Sequence, residues 1–357
     1  MMTNEAVENR LVQFDLLRIL AMLGVLMNHV FNYGLLIYGD FRVDASTFGG
    51  FMTWSILELM KLVVLPSVNC YILITGYFLI DRTKLRLRGI WKVWSTTWLY
   101  AVGIYLLAVL TGLVPFEWGE LQRHATPLLS NSYWFVTSYL TLMLLAPLLA
   151  WFLNRLSHRQ YLLLLAIGGF VCFQPLLGWL IMDGQQIILF VYLFMIGGYI
   201  RCYADKLTST RYPLLAFVTV LLVMFAYTLY KNTLLKETRY VVFAMAYHGL
   251  VLPLSVALFM IIRRWEIKSS EVRRCILFLA PLSFAVYIIH TQSLVDSWLW
   301  GVSSEWLSDC DVRLLPFACI TITLVVFVVC VLIEYVRVGL NRLLRARWRQ
   351  IIDAKSS

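Results

Sequence analysis

The chain has 357 residues, 61% of them hydrophobic and 14% charged, where average soluble domains are about 45–50% apolar and 25% charged. A chain this apolar cannot cover its own surface, which excludes a water-soluble enzyme, a disordered chain and a coiled coil; its hydrophobic residues suffice for roughly ten spans of about 20 residues. The formal net charge of +10 is therefore read first as membrane topology, and nucleic acid is not among the expected partners.

Taken in chain order, the sequence predicts an all-α, polytopic helical bundle. Ten spans are expected at about 14–38, 60–80, 91–114, 133–153, 161–180, 186–202, 212–230, 240–262, 275–297 and 314–336. Residues 1–13 form a short N-terminal segment, 14–337 one transmembrane domain and 338–357 a basic tail. The polar N-terminus (Glu5, Glu8, Arg10) lacks the basic region of a signal peptide, and the first apolar run is too long for one, so it is expected to stay in the mature protein. The seven cysteines form no CxxC and no metal-ligand spacing, so neither a zinc site nor a disulfide framework is expected. Trp91, Trp94, Trp134, Trp179, Trp265, Trp298 and Trp300 fall near span ends, as interfacial belts do.

With the N-terminus in the cytoplasm, 22 of the 30 Lys and Arg residues fall on inner segments and six on outer loops. With an even number of spans, that asymmetry predicts both termini on the cytoplasmic side of the plasma (inner) membrane. One outer loop, 231–239, dissents with three cations and only Glu237.

Ionisable groups inside spans carry the functional information, since each costs roughly 2.5–3.5 kcal/mol at the bilayer centre on insertion scales. The first span, FDLLRILAMLGVLMNHVFNYG, holds Asp15, Arg18, Asn28, His29 and Asn32. Arg18 and His29 are eleven residues apart, so on an α-helix they lie about 20° off a common face and about 16 Å apart along the axis. Asp15, one turn before Arg18, can partner it, and Asn32 is expected on the His29 face. This arrangement suits a ligand entering from the cytoplasm with its anionic end on Arg18 and its reactive end at His29. The structural alternatives are an Arg18 that snorkels to the headgroups beside Asp15, and a His29 that bonds between helices.

A second polar set follows in LPSVNCYILITGYFLIDRTKLRLR, with Ser67, Asn69, Thr75 and Gly76 in the apolar run. Arg82, Lys84, Arg86 and Arg88 come next and can anchor to anionic lipid or dock a phosphorylated cofactor. Glu58 and Lys61 precede this span and are expected to pair at the outer interface. His290 is expected deep in the ninth span with Tyr287 one turn earlier, and His248 in the eighth beside Tyr247. His124 and His158 are expected to be solvated in loops.

Arg18-x10-His29 introduced by FDLLRILA resembles the acyltransferase 3 family of bacterial integral-membrane acyltransferases. The resemblance continues through VNCYILITGYFL at 68–79 and the basic stretch after it, SYWFVTSYLTLMLLAPLL at 132–149, and PLSFAVYIIH at 281–290. Where many relatives carry Val-Glu-Glu-Gln, this chain has Ser138-Tyr139-Leu140-Thr141, so no role of those glutamates carries over. The resemblance implies O-acylation, usually O-acetylation, of a carbohydrate or glycolipid at the cell envelope. The donor substrate would be cytoplasmic acyl-CoA (acetyl-CoA above all), with no permanently bound cofactor. Combined with the helical face, it implies donor phosphates on Arg18, with Arg86 and Arg88 nearby, and His29 as general base or acyl carrier. Asn69, Tyr77 or His290 would orient the acceptor or stabilise the oxyanion. A transporter of a small anion or glycan precursor would use a buried Arg and His equally well, and an accessory subunit of a polysaccharide synthase would need neither.

Overall fold

The computed structural model describes residues 11–39, 41–130, 132–173, 186–204, 209–234, 239–241 and 249–356. Trp179, His248 and the 174–180 and 242–248 portions of two expected spans lie outside the described residues. The first span is α1 (Val12–His29), which passes directly into a π-helix (Val30–Ile37). After the short strand β1 (Arg42–Asp44) comes α2 (Phe48–Val64), whose cap Thr47 accepts from the Gly50 amide through its hydroxyl. Helix α3 (Ser67–Leu79) starts two residues past Leu65, α2's cap, because Pro66 has no N–H with which to continue the ladder. Together α2 and α3 make a bent apolar stretch of 32 residues, longer than the expected 60–80.

The remaining elements are α4 (Leu87–Leu110), the short α5 (Trp118–Ala125), α6 (Trp134–Leu153), α7 (His158–Phe173), α8 (Gln186–Tyr203), α9 (Arg211–Leu234), β2 (Arg239–Val241), α10 (Val251–Ile262), α11 (Ser270–His290), α12 (Ser293–Ser308) and α13 (Leu315–Ser356). Each of the ten expected segments contains a helix. Among the described residues, seven helical stretches are long and apolar enough to cross a membrane, and Ile187–Tyr203 and Val251–Ile262 are shorter apolar helices. The chain is a multi-pass helical membrane protein.

Helix α1 runs through the middle of the bundle against α11, α3, α13 and α2. The tightest crossing joins α3 to α8, where a β-carbon on Gly76 would overlap the Phe194 carbonyl oxygen and one on Gly197 the Leu73 carbonyl oxygen. Small residues bring membrane helices to backbone contact in this way. β1 pairs antiparallel with β2, Asp44 opposite Arg239, which ties the dissenting cationic loop to the segment after the first span.

Several expectations change. Helix α11 ends at His290 rather than continuing to 297, because Gln292 caps a new helix, α12, its side-chain oxygen accepting from the Leu294 and Val295 amides. Glu58 and Lys61 are both buried within the protein, at 0% and 1% exposure. Trp300 is fully buried instead of interfacial, whereas Trp91 and Trp298 are exposed as belts require. His124 is buried against the Tyr105 ring, 4.9 Å away and nearly parallel, and burial pushes its pKa below the usual histidine value. His158 is exposed, with Nε2 3.0 Å from the Tyr199 hydroxyl. Helix α13 continues without a break through residues 338–356.

Candidate active site

Because α1 is regular from Val12 to His29, Arg18 and His29 keep the face and the axial distance of about 16 Å that their spacing implies. Arg18 donates from Nη1 to Asp15 Oδ1 at 2.7 Å; Asp15 is buried and Arg18 is 35% exposed, leaving guanidinium surface to meet an anion. Tyr71 of α3 donates to the Arg18 carbonyl at 2.7 Å and fixes this level of the helix.

At the other end of α1, His29 meets His290. Nδ1 of His29 lies 3.2 Å from Nε2 of His290, and Nδ1 of His290 lies 2.6 Å from the Val286 carbonyl oxygen. A carbonyl only accepts, so His290 carries its proton on Nδ1, and its Nε2 in the neutral ring is an acceptor. His29 then donates from Nδ1, which leaves its Nε2 with the free lone pair. The backbone thus sets both tautomers, and the pair presents one proton-accepting nitrogen. Tyr33 and Trp300 close around it, at ring distances of 5.1 and 6.1 Å from His29, stacked on each other.

Between the two levels runs a wall of rings. Tyr139 stacks on Phe135 at 5.7 Å, Phe135 meets Tyr287 at 5.4 Å, and Tyr287 meets His290 at 6.0 Å. The wall comes from α6 and α11, the two later segments of the sequence pattern.

Of the predicted residues, the structure brings together Arg18 with Asp15 and His29 with His290. It does not bring the others to the histidine pair. Asn69 donates to the Ser255 hydroxyl of α10 at 3.0 Å. Tyr77 accepts from Arg201 Nη1 at 3.3 Å, and its ring is 5.0 Å from Phe14, fifteen residues of α1 below His29. Arg86 and Arg88 are exposed beyond the bundle's Arg18 end.

Asn32 lies in the π-helix, which bonds i to i+5 and changes the angular step per residue. It bonds to the ammonium of Lys61, which also lies 5.7 Å over the Phe31 ring. Lys61, Tyr33 and Trp300 are site neighbours that sequence reasoning missed. A lone lysine inside LELMKLVVLP was the available signal for the first.

An acyltransferase domain model, Acyl_transf_3, matches residues 11–335, a span that includes every residue of this site. No curated protein and no solved structure matches the chain.

Proposed function

The chain belongs to the acyltransferase 3 family and is a membrane acyltransferase, and from that premise we propose that it moves an acetyl or similar short acyl group from cytoplasmic acyl-CoA to a hydroxyl of a cell-envelope carbohydrate. It sits in the plasma (inner) membrane with both termini in the cytoplasm, so that Arg18 faces the donor's side and His29 the acceptor's. The observation that carries the reading is the pair of histidines whose hydrogen bonds leave His29 Nε2 free to take a proton.

Arg18 meets the phosphates of the donor, because a phosphate in a low-dielectric setting needs charge-assisted donors. The ring wall guides the arm of the donor towards the pair. His29 Nε2 takes the proton of the acceptor hydroxyl as its oxygen attacks the thioester carbonyl carbon. The carbon–sulfur bond then breaks, the proton passes to the leaving thiolate, and an ester and a free thiol result. An acyl group carried briefly on Nε2 gives the same products in two steps.

The test is reconstitution in proteoliposomes with labelled acetyl-CoA. Thiol release, with acylated glycan detected by mass spectrometry, is the expected result; labelled solute crossing the membrane with no acetyl-CoA consumed would make the protein a transporter.

His290 touches no substrate in this scheme and acts by positioning. His290→Ala is expected to lower kcat about 10–100-fold with the KM for acetyl-CoA unchanged. His290→Gln, which keeps a donor and an acceptor, should recover part of the loss. Equal changes in both constants, or no recovery, would remove His290 from the scheme.

A further inference from the structure

Two side chains near the histidine pair have hydrogen-bonding capacity that nothing among the described residues uses. Tyr133, at the start of α6, is 2% exposed, and its hydroxyl has no partner among the described residues. Its ring lies 6.5 Å from Tyr287, which in turn lies 6.0 Å from His290. Gln292, two residues beyond His290, is 1% exposed. Its Oε1 accepts from the Leu294 and Val295 amides at 2.8 and 3.1 Å. Those bonds fix which way the carboxamide is turned, and they leave its Nε2 without a partner. The next side-chain oxygen, Ser293 Oγ, is also buried and unpartnered.

A buried donor left unmade carries the full desolvation penalty of the group. Such groups stand on two elements that flank the reactive pair, Tyr133 across the Tyr287 ring and Gln292 and Ser293 just past His290. Placed there by a ring wall and a helix cap, they are arranged for oxygens that arrive with a substrate.

We infer that Tyr133 and Gln292 form the acceptor subsite and hold oxygens neighbouring the hydroxyl that is acylated. The acceptor class that fits is a polyol, a sugar ring above all. Gln292 Nε2 can only donate, which suits a neutral hydroxyl or ring oxygen, and the Tyr133 hydroxyl donates or accepts as a sugar hydroxyl requires. A simple alcohol would reach His29 but leave both groups unmatched, and sites built to bond a hydroxyl reject partners that lack it. This inference rests on the acyl-transfer reading and specifies its acceptor.

The test uses two substitutions that spare the fold. Tyr133→Phe keeps the ring, and Gln292→Ser keeps a neutral side-chain oxygen able to cap α12 while removing the amide donors. Cells expressing the full chain, wild type or variant, are compared by mass spectrometry of envelope carbohydrate. The same proteins in proteoliposomes are assayed for acetyl-CoA hydrolysis to free thiol. Each variant is expected to lower carbohydrate acylation roughly ten-fold, about one hydrogen bond's effect, with hydrolysis within about two-fold of wild type. Unchanged acylation, as expected if water alone satisfies these atoms, overturns the subsite. A fall in hydrolysis parallel to acylation overturns it too, since the residues would then serve the donor or the fold. Failure of the acyl-transfer reading looks different: the wild type itself would release no thiol.

Discussion

His29→Gln lowers acyl transfer by about 10²–10⁴-fold, the usual contribution of a positioned general base, while the protein accumulates in the membrane as the wild type does. Glutamine is close to imidazole in length and can still bond to His290 Nε2, so the bundle keeps its packing at this level. What it lacks is a basic nitrogen where Nε2 stood. The measurement is thiol release from acetyl-CoA per mole of purified, monodisperse protein, with the carbohydrate acceptor present. Full acyl transfer by the variant would show that the proton goes elsewhere, and the Val286–His290–His29 chain would then be a structural contact between α1 and α11.

The second large effect falls on the fold. Gly197→Val is expected to abolish the close crossing of α3 and α8, because its β-carbon meets the Leu73 carbonyl oxygen, a backbone atom that cannot move aside. Overpacking of this kind costs about 1–3 kcal/mol, and more where backbone rather than side chain must yield. A protein whose total margin is of the order of 5–15 kcal/mol then shows a lower Tm in detergent and a smaller monodisperse fraction. Gly301→Ala is the control, since its added methyl group would have open space for 4 Å around it. Equal thermal stability of Gly197→Val and wild type would show that the helices part without loss.

The first span, the Arg18–His29 face and the Asp15 partner were legible because each depends only on residues within one regular helix. The pairing of His29 with His290 was not, since 261 residues separate them and no local pattern encodes which helices touch. His290 could be read as a polar residue in an apolar run, but its place at the very end of α11 depends on Gln292 starting another helix two residues later. Asn32 lies past His29 in a segment that leaves the 3.6-residue period, and no local pattern marks Lys61, 29 residues away, as its partner. The burial of Glu58 and Lys61 was not legible because α2 begins twelve residues earlier than the expected span, which places both inside a helix packed on its neighbours. Tyr133 and Gln292 left no trace in the sequence, since an unmet hydrogen bond exists only once the surroundings are folded.

Helix α13 has 42 residues, about 63 Å at 1.5 Å per residue, roughly twice the thickness of a hydrocarbon core. With its apolar stretch in the bilayer, the twenty residues from Arg337 to Ser356 continue the same axis for about 30 Å, and a tilt of about 20° shortens that reach only slightly. The screening length in physiological salt is about 8 Å. Arg337 and Arg342 stand within or near the ionic atmosphere of the headgroups, whereas Arg345 and Arg347 stand about 12–15 Å further along the axis than Arg337, beyond one screening length. The cations of one continuous rod are therefore divided by distance alone: the near ones are felt by the lipid, and the far ones only by what approaches from the aqueous phase.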